Sequence, residues 1–305
     1  MLLAAAGAAL IAPVTATLAT ARVSAPPPAL ASLVLAAADL RPGAVVASQF
    51  TTSTLGGRQM FVRAFKPGAR IGDAPLLGAV SAALLDPDAS TAVADYTELN
   101  GEAQSTPGRQ ALAKAWATNF VKGLNVASHG TSKLTLERTI VGAPVELATN
   151  ALRLPLTFKT SLGTIRVSLE VVQTDRTVGI LELMSWFNRR LGAGDAAKAL
   201  AAVQKHLRVA FTVSNTTPPT IDGTPTQGQV VAVDEGDWAG APSTFSYSWA
   251  RCDANGANCT PIAGATTNRY SVGAADVGST IRVTVTGANS LSSRQGVSAA
   301  TAVIG

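Results

Sequence analysis

Phe245-Ser246-Tyr247-Ser248-Trp249-Ala250-Arg251-Cys252-Asp253-Ala254-Asn255-Gly256-Ala257-Asn258-Cys259 holds both cysteines of the chain, placed symmetrically about Asn255-Gly256. Asn-Gly is the preferred pair for a type I′ turn, because both central residues of that turn need positive φ. With such a turn Ala254 faces Ala257, Asp253 faces Asn258 and Cys252 faces Cys259. Directly opposed residues of an antiparallel pair lie about 4.5–5.5 Å apart at Cα, within reach of a disulfide. The stretch therefore predicts a hairpin stapled by Cys252 and Cys259, which requires an oxidising compartment. The rival reading is a metal centre, and two cysteines without further ligands do not make one.

Short strand candidates recur around the hairpin at 229–232, 245–251, 269–272, 280–286 and 297–303. Several short strands with no helical segment between them read as a β-sandwich. A composition break at Ser214-Asn215-Thr216-Thr217-Pro218-Pro219 marks a linker, 214–219, which separates a first domain, 29–213, from this second one, 220–305. The phrases Pro218-Pro219-Thr220-Ile221-Asp222-Gly223, Gly228-Gln229, Gly236-Asp237-Trp238, Tyr247-Ser248-Trp249, Arg251-Cys252-Asp253, Gly264-Ala265-Thr266, Tyr270 and Asp276-Val277-Gly278-Ser279-Thr280-Ile281-Arg282-Val283 follow in order. Together they resemble the immunoglobulin-like repeats of actinobacterial secreted and surface proteins. The resemblance implies an Ig-like sandwich with Trp249 as its core Trp, and Asp276 with Gly278 at the turn before a penultimate strand. It implies a spacer, adhesion or carbohydrate-contact module without choosing among them.

The first domain alternates most clearly in its second half. Leu152, Leu154, Leu156 and Phe158 are separated by Arg153, Pro155 and Thr157, and Ile165, Val167, Leu169 and Val171 by Arg166, Ser168 and Glu170. A turn over Thr160 to Gly163, with Gly163 at positive φ, sets Phe158 opposite Ile165, Leu156 opposite Val167 and Leu154 opposite Leu169. A slip of one residue would turn all of these to solvent, so the register is strongly specified. The next strand, 178–186, is apolar on both faces, with Leu181 and Leu183 on one and Ile180 and Met184 on the other, and is expected to be covered on both sides. Glu182 sits inside it, and the expected partner is a cross-strand Arg or Lys.

Helices flank these strands. The segment 29–38 is expected as a short helix with Leu30, Leu33, Val34 and Leu35 on one side, stopped by Arg41-Pro42-Gly43. Weaker strand signals surround Val45-Val46, Met60-Phe61-Val62 and Leu76-Leu77. Thr106-Pro107 reads as a helix start with Thr106 as N-cap; Leu112, Trp116 and Phe120 follow at intervals of four, and Gly123 ends the helix. Asp195 is expected to cap a last helix, in which Ala196, Leu200, Val203 and Leu207 form a stripe. Helix, strands, helix, antiparallel meander and closing helix make an α+β antiparallel-sheet sandwich. That order, with Leu33-Val34-Leu35 through Asp39-Leu40-Arg41-Pro42-Gly43, resembles in pattern extracellular sensor-like and lipoprotein domains of actinobacteria, some of which have the Mog1/PsbP-like fold. It implies ligand binding or scaffolding at the envelope and transfers no residues.

Residues 1–21 are apolar and end in Ala19-Thr20-Ala21 before Arg22, the pattern of a secretory signal peptide cut near Ala21. No Lys or Arg precedes the apolar run, so either the true start lies upstream or the segment is retained as a weak anchor. Residues 22–28, with Pro26-Pro27-Pro28, read as a Pro-rich spacer. At 47% hydrophobic and 14% charged residues the chain is no disordered polyampholyte. From 22 to 213 there are 20 Lys+Arg against 13 Asp+Glu (+7), and from 214 to 305 there are 4 against 6 (−2). The positive charges are scattered singly, and the longest basic run is Arg189-Arg190. A nucleic-acid partner, which would want a basic stripe with interleaved aromatics, is therefore not expected.

Sites of chemistry are few. His129 and His206 lack partners at any fixed spacing, and no Gly-x-Ser-x-Gly elbow surrounds Ser128 or Ser185. Gly192-Ala193-Gly194 reads as the bend before a helix rather than a phosphate loop. Asp234-Glu235-Gly236-Asp237 gathers three carboxylates within four residues, at a spacing that fits a solvated turn better than a calcium loop. Trp116 and Trp186 read as core residues rather than as pocket walls. No catalytic, cofactor-binding or metal-ligating residue is assigned, no cofactor is expected, and the site residues are the disulfide pair Cys252 and Cys259.

The sequence thus predicts an α+β sandwich domain followed by an all-β Ig-like sandwich. The expected role is that of a secreted or cell-surface binding or interaction protein, non-enzymatic, meeting an envelope glycan, lipid or protein and touching membrane only through an uncleaved N-terminal segment. Two alternatives stand beside it: an extracellular hydrolase with an Ig-like targeting module, and a pure surface spacer.

Overall fold

The computed structural model describes residues 30–40, 44–53, 58–71, 74–127, 135–148, 150–161, 163–186 and 191–305. The expected signal peptide and Pro-rich spacer, Ser128, His129 and Arg189-Arg190 lie outside them. The strands of the described residues pair antiparallel in several sheets, and the structure divides into two compact units, one ending at Arg208 and the other beginning at Val209.

In the first unit β1 (Val46–Ser53), β2 (Gln59–Phe65), β3 (Gly78–Leu85), β4 (Leu136–Val141), β5 (Val145–Ala148), β6 (Ala151–Thr160), β7 (Gly163–Thr174) and β8 (Thr177–Trp186) form one eight-stranded antiparallel sheet. Its order is β1-β2-β3-β8-β7-β6-β4, with β5 also on β6. The meander has the register that alternation predicts: Phe158 pairs with Ile165, Leu156 with Val167 and Leu154 with Leu169, and Gly163 takes φ +128. Strand β8 pairs β3 on one edge and β7 on the other, so it is central, and the side chains on both its faces, Ile180 and Glu182 on one and Leu181 and Leu183 on the other, are buried.

Helices α1 (Ala89–Gln104) and α2 (Thr106–Ala127) cover the face that carries Val80, Leu84, Leu154, Phe158, Leu169 and Ile180. Helix α3 (Ala193–Ala210) covers the other. A Cβ on Gly179 would lie 3.2 Å from Val172 Cγ1, 3.3 Å from Leu207 Cδ1 and 3.4 Å from Val203 Cγ1, so the glycine lets α3 settle on the sheet. Fully burying a Leu or Phe side chain contributes about 1.5–3 kcal/mol, which makes these two faces the main source of stability in this unit.

Several local expectations change. Leu33, Val34 and Leu35 are consecutive and fully buried, between single turns of 3-10 helix at Leu30–Ser32 and Ala37–Asp39, rather than one side of a helix. The chain there runs into the core, with Leu35 N donating to Ser81 Oγ and Arg63 donating to Leu35 O. Helix α1 escapes the apolar-stripe test because its buried face is Ala92, Asp95, Tyr96, Leu99 and Ala103, two alanines and an aspartate among them. Asp88 caps it through Thr91 N, 2.7 Å away. Helix α2 is capped by Ser105, which accepts from Gly108 N, instead of by Thr106, and it runs through Gly123 to Ala127. Helix α3 begins at Ala193, so Asp195 lies in its first turn, where a carboxylate still complements the helix dipole.

In the second unit the strands are β9 (Ser214–Asn215), β10 (Thr220–Asp222), β11 (Val230–Asp234), β12 (Trp238–Ala239), β13 (Thr244–Cys252), β14 (Thr260–Pro261), β15 (Arg269–Ser271), β16 (Thr280–Ala288) and β17 (Ser293–Val297). They pair as β9-β12, β10-β11-β15 and β14-β13-β16-β17. Val213, Val231, Trp238, Trp249, Val272, Ile281, Val283, Val285 and Ile304 share one core. Trp249 is fully buried, stacks on Tyr270 at 5.4 Å and donates from Nε1 to Thr267 O. Buried Asp276 accepts from Gly273 N, Tyr270 Oη and Arg251 Nε, and Gly278 follows it at φ +80. The last strand lies at 293–297 rather than 297–303. Beyond it the hydroxyls of Ser298 and Thr301 accept from Val283 N and Ile281 N, taking the place of ladder carbonyls, so no regular strand forms.

The opening hairpin keeps its register and changes its turn. Ala250 pairs with Pro261 and Arg251 with Thr260, which brings Cys252 opposite Cys259, and the two are joined as a disulfide with Cα atoms 3.9 Å apart. No type I′ turn forms at Asn255-Gly256, since Gly256 and Asn258 have positive φ and Asn255 does not. Gly256 N donates to Asp253 O, and the Asp253 carboxylate accepts from Asn255 N, Ala257 N and Asn258 Nδ2. A side chain that gathers three donors favours this wider loop over a two-residue turn. The loop is short, with 7 residues of separation. Reducing the disulfide is therefore expected to cost about 2 kcal/mol. Equilibrium unfolding of the second unit with and without reductant measures this, and a loss no greater than experimental error would show that Asp253 alone holds the loop.

Candidate ligand cleft

The α3 face of the sheet carries the residues that alternate with the core set: Arg153, Pro155 and Thr157 on β6, Arg166, Ser168 and Glu170 on β7, and Leu181, Leu183 and Ser185 on β8. Helix α3 covers only part of this face. Toward its N-terminal end a cleft of about 410 Å³ opens over Arg153, Thr157, Arg166, Ser168 and Ser185. Val145, Pro155, Leu183, Leu191 and Ala196 supply its apolar walls. Small-molecule sites commonly have this make-up, mostly apolar with a few convergent polar groups.

The donors are fixed from beneath. Glu170 is fully buried, directly across from Arg153, and accepts from Arg153 Nε at 2.9 Å and from Ser168 Oγ at 3.2 Å. Burial raises the Glu170 carboxyl above the ordinary glutamate value, and Arg153 and Ser168 oppose that rise. The ion pair holds the guanidinium in one orientation, while Arg153 Nη2 is buried with no hydrogen-bond partner among the described residues. A guanidinium donates and never accepts, so Arg153 presents a donor suited to an acceptor such as a carboxylate, phosphate or carbonyl oxygen.

Glu182 faces the opposite way. Its cross-strand neighbours are Val80 and Leu169, not Arg or Lys, and α2 supplies the partner, with Trp116 Nε1 donating to Oε1 at 2.5 Å. Trp116 stacks on Phe158 at 5.1 Å, consistent with a core residue. Burial pushes the Glu182 carboxyl up to about 7, against the Trp116 hydrogen bond, which pulls it down. The arginine pair expected for Glu182 exists one strand over, at Glu170. Alternation places the two carboxylates on opposite faces and does not reveal which elements cover each face.

The remaining candidates are structural. Asp234 Oδ1 accepts from Gly236 N, Glu235 Oε1 from Tyr247 Oη and Asp237 Oδ2 from Thr217 Oγ1, so the three carboxylates serve separate donors. No cluster of His, Cys, Asp and Glu suited to a metal occurs among the described residues. His206 Nε2 lies 2.7 Å from Asp39 Oδ2, tying α3 to the turn at Ala37–Asp39. Cys252 and Cys259 stand in the second unit, remote in sequence from the cleft residues and joined to each other. None of the described helices is long and apolar enough to cross a membrane.

No family model matches the chain, and no curated protein matches it in sequence. Among solved structures, the extracellular domain of PknH from Mycobacterium tuberculosis superposes with a TM-score of 0.35 at 10% identity, over 58% of this chain and 94% of that one. A Pseudomonas aeruginosa protein of unknown function, PA94, gives 0.18 at 12% identity, over 52% and 93%. Domains A168–A170 of titin give 0.22 at 9% identity, over 87% and 90%. None of these likenesses is close enough to name a family or a role.

Proposed function

We propose that the chain is an extracellular, envelope-associated binding protein. Its first domain, 29–213, is an α+β sandwich that holds a ligand in the cleft beside the start of α3. Its second, 220–305 after the linker 214–219, is an Ig-like β-sandwich that serves as an attachment or spacer module. The ligand carries an anionic or carbonyl head on an apolar body. The observation that carries this reading is the convergence of Arg153, Arg166, Thr157, Ser168 and Ser185 on one apolar-walled cleft, with Glu170 orienting Arg153 from below. The Cys252–Cys259 disulfide supports an oxidising, extracytoplasmic compartment.

Calorimetric titration of the full chain with octanoate and with methyl phosphate tests the cleft. Arg153 is left intact, because removing it would strand a buried carboxylate and cost about 3–5 kcal/mol of stability. Arg166→Gln and Ser185→Ala are expected to weaken binding about tenfold each, the loss of roughly one charge-assisted hydrogen bond. Equal affinity in both variants, or no heat with either probe, would remove the cleft from consideration.

A further inference from the structure

At the far end of the same sheet, Asp86 closes β3 with 1% of its surface exposed, and neither of its carboxylate oxygens has a hydrogen-bond partner among the described residues. Arg58 Nη1 stands 3.2 Å from Oδ1, and Arg58 also pairs with Asp95 on α1. Asp86 N donates to Arg176 O at 2.8 Å, which fixes the β7–β8 turn beside it, and the Arg176 Nε is likewise buried with no partner. A cleft of about 520 Å³ opens at this point, lined by Arg58, Gln59, Asp86, Pro87, Thr91 and Arg176 among others.

A buried acceptor and a buried donor left unsatisfied each cost about 1–3 kcal/mol, so a pair of them facing one cleft calls for something that satisfies both. The missing element is not a counter-charge. Arg58 already stands against Asp86, and an ammonium ligand would set a second cation on the same carboxylate. Two arginines, Arg58 and Arg176, meet three aspartates, Asp86, Asp88 and Asp95, so neither a strong anion nor a strong cation is favoured. What is lacking is a neutral group that donates to Asp86 and accepts from Arg176. Adjacent hydroxyls do both, with the Gln59 amide and Thr91 hydroxyl at the rim offering further donors and acceptors.

We propose that this second cleft is a saccharide site, in which a vicinal diol bridges Asp86 and Arg176. Asp86 accepts through both carboxylate oxygens only when ionised, and protonation turns one of them into a donor. Burial pushes its carboxyl up to about 6, with Arg58 opposing and Asp88 adding to the rise, so affinity falls as the pH drops through that value.

Saturation-transfer NMR and calorimetry on the full chain at pH 7.5, with glucose, maltose and cellobiose as probes and glycine and methylammonium as counter-probes, decide the matter. At least one sugar is expected to bind, and Asp86→Asn and Arg176→Gln are each expected to weaken it about tenfold. The second variant keeps the test open should the first fail to fold, which circular dichroism would report. Absence of binding by all three sugars overturns the proposal. Undiminished binding in a folded variant does the same, as does binding of glycine or methylammonium in their place. The octanoate titration of the α3 cleft is independent of this result.

Discussion

Between pH 4.5 and pH 8 the first unit is expected to lose about 3 kcal/mol more stability than its Glu182→Gln variant does. Glu182 is fully buried, and its carboxyl rises from 4.5 in the unfolded chain to about 7 in the fold, chiefly through burial. Over that interval the native state binds more protons than the unfolded state, so stability falls as pH rises. Below 4.5 both states are protonated and no difference arises. Above 7 the difference is complete, at about 1.4 kcal/mol for each of the two and a half pH units that separate the values. Glutamine keeps an acceptor for Trp116 Nε1 and cannot ionise, which isolates this group. Asp86 and Glu170 are raised as well and titrate in both proteins, so the comparison rests on the difference between two pH profiles. Denaturant unfolding at a series of pH values measures it; parallel profiles would mean that water or a donor reaches Glu182.

Trp249→Ala is expected to remove about 3–5 kcal/mol from the second unit, enough to leave a domain of its size largely unfolded at 37 °C. Trp249 is fully buried where β11, β13, β15 and β16 contribute to one core, and it fills that centre with a single large side chain. Truncation opens a cavity, loses the stack on Tyr270 and strands Thr267 O, which accepts from Nε1. Trp249→Phe restores most of the volume without the hydrogen bond and is expected to recover more than half of the loss. Thermal unfolding of the two variants, read against the unaltered first unit, gives both numbers. A Phe variant no more stable than the Ala variant would place the main contribution in the Thr267 bond instead of in packing.

The regular parts of the fold were legible because alternation has a period of two and tolerates no slip. That period set Phe158 against Ile165 and divided the β8 side chains between two faces. The pairing of Cys252 with Cys259 was legible for the same reason. Symmetry about Asn255-Gly256 fixes the register whichever turn closes the hairpin, whereas the turn itself was chosen by the Asp253 carboxylate, a local side chain that the dipeptide rule does not weigh. Helix α1 was hidden by a buried face made partly of alanine and aspartate, whose low hydrophobicity leaves no stripe to read.

Residue order also determined which face of its strand each carboxylate takes, and it set Glu170 opposite Arg153 and Glu182 in an apolar strand. Only tertiary structure decided what covers those faces. Helix α3 covers part of a face whose β6 and β7 side chains alternation marks as polar and leaves a cleft at its end, and α2 brings Trp116 to Glu182 from 66 residues away. Asp86 and Arg176 meet because β3 and the β7–β8 turn end at the same level of the sheet, 90 residues apart. Burial and desolvation are properties of all the neighbours together. A carboxylate's proton affinity and an arginine's unused donors therefore became visible only once the whole unit was assembled.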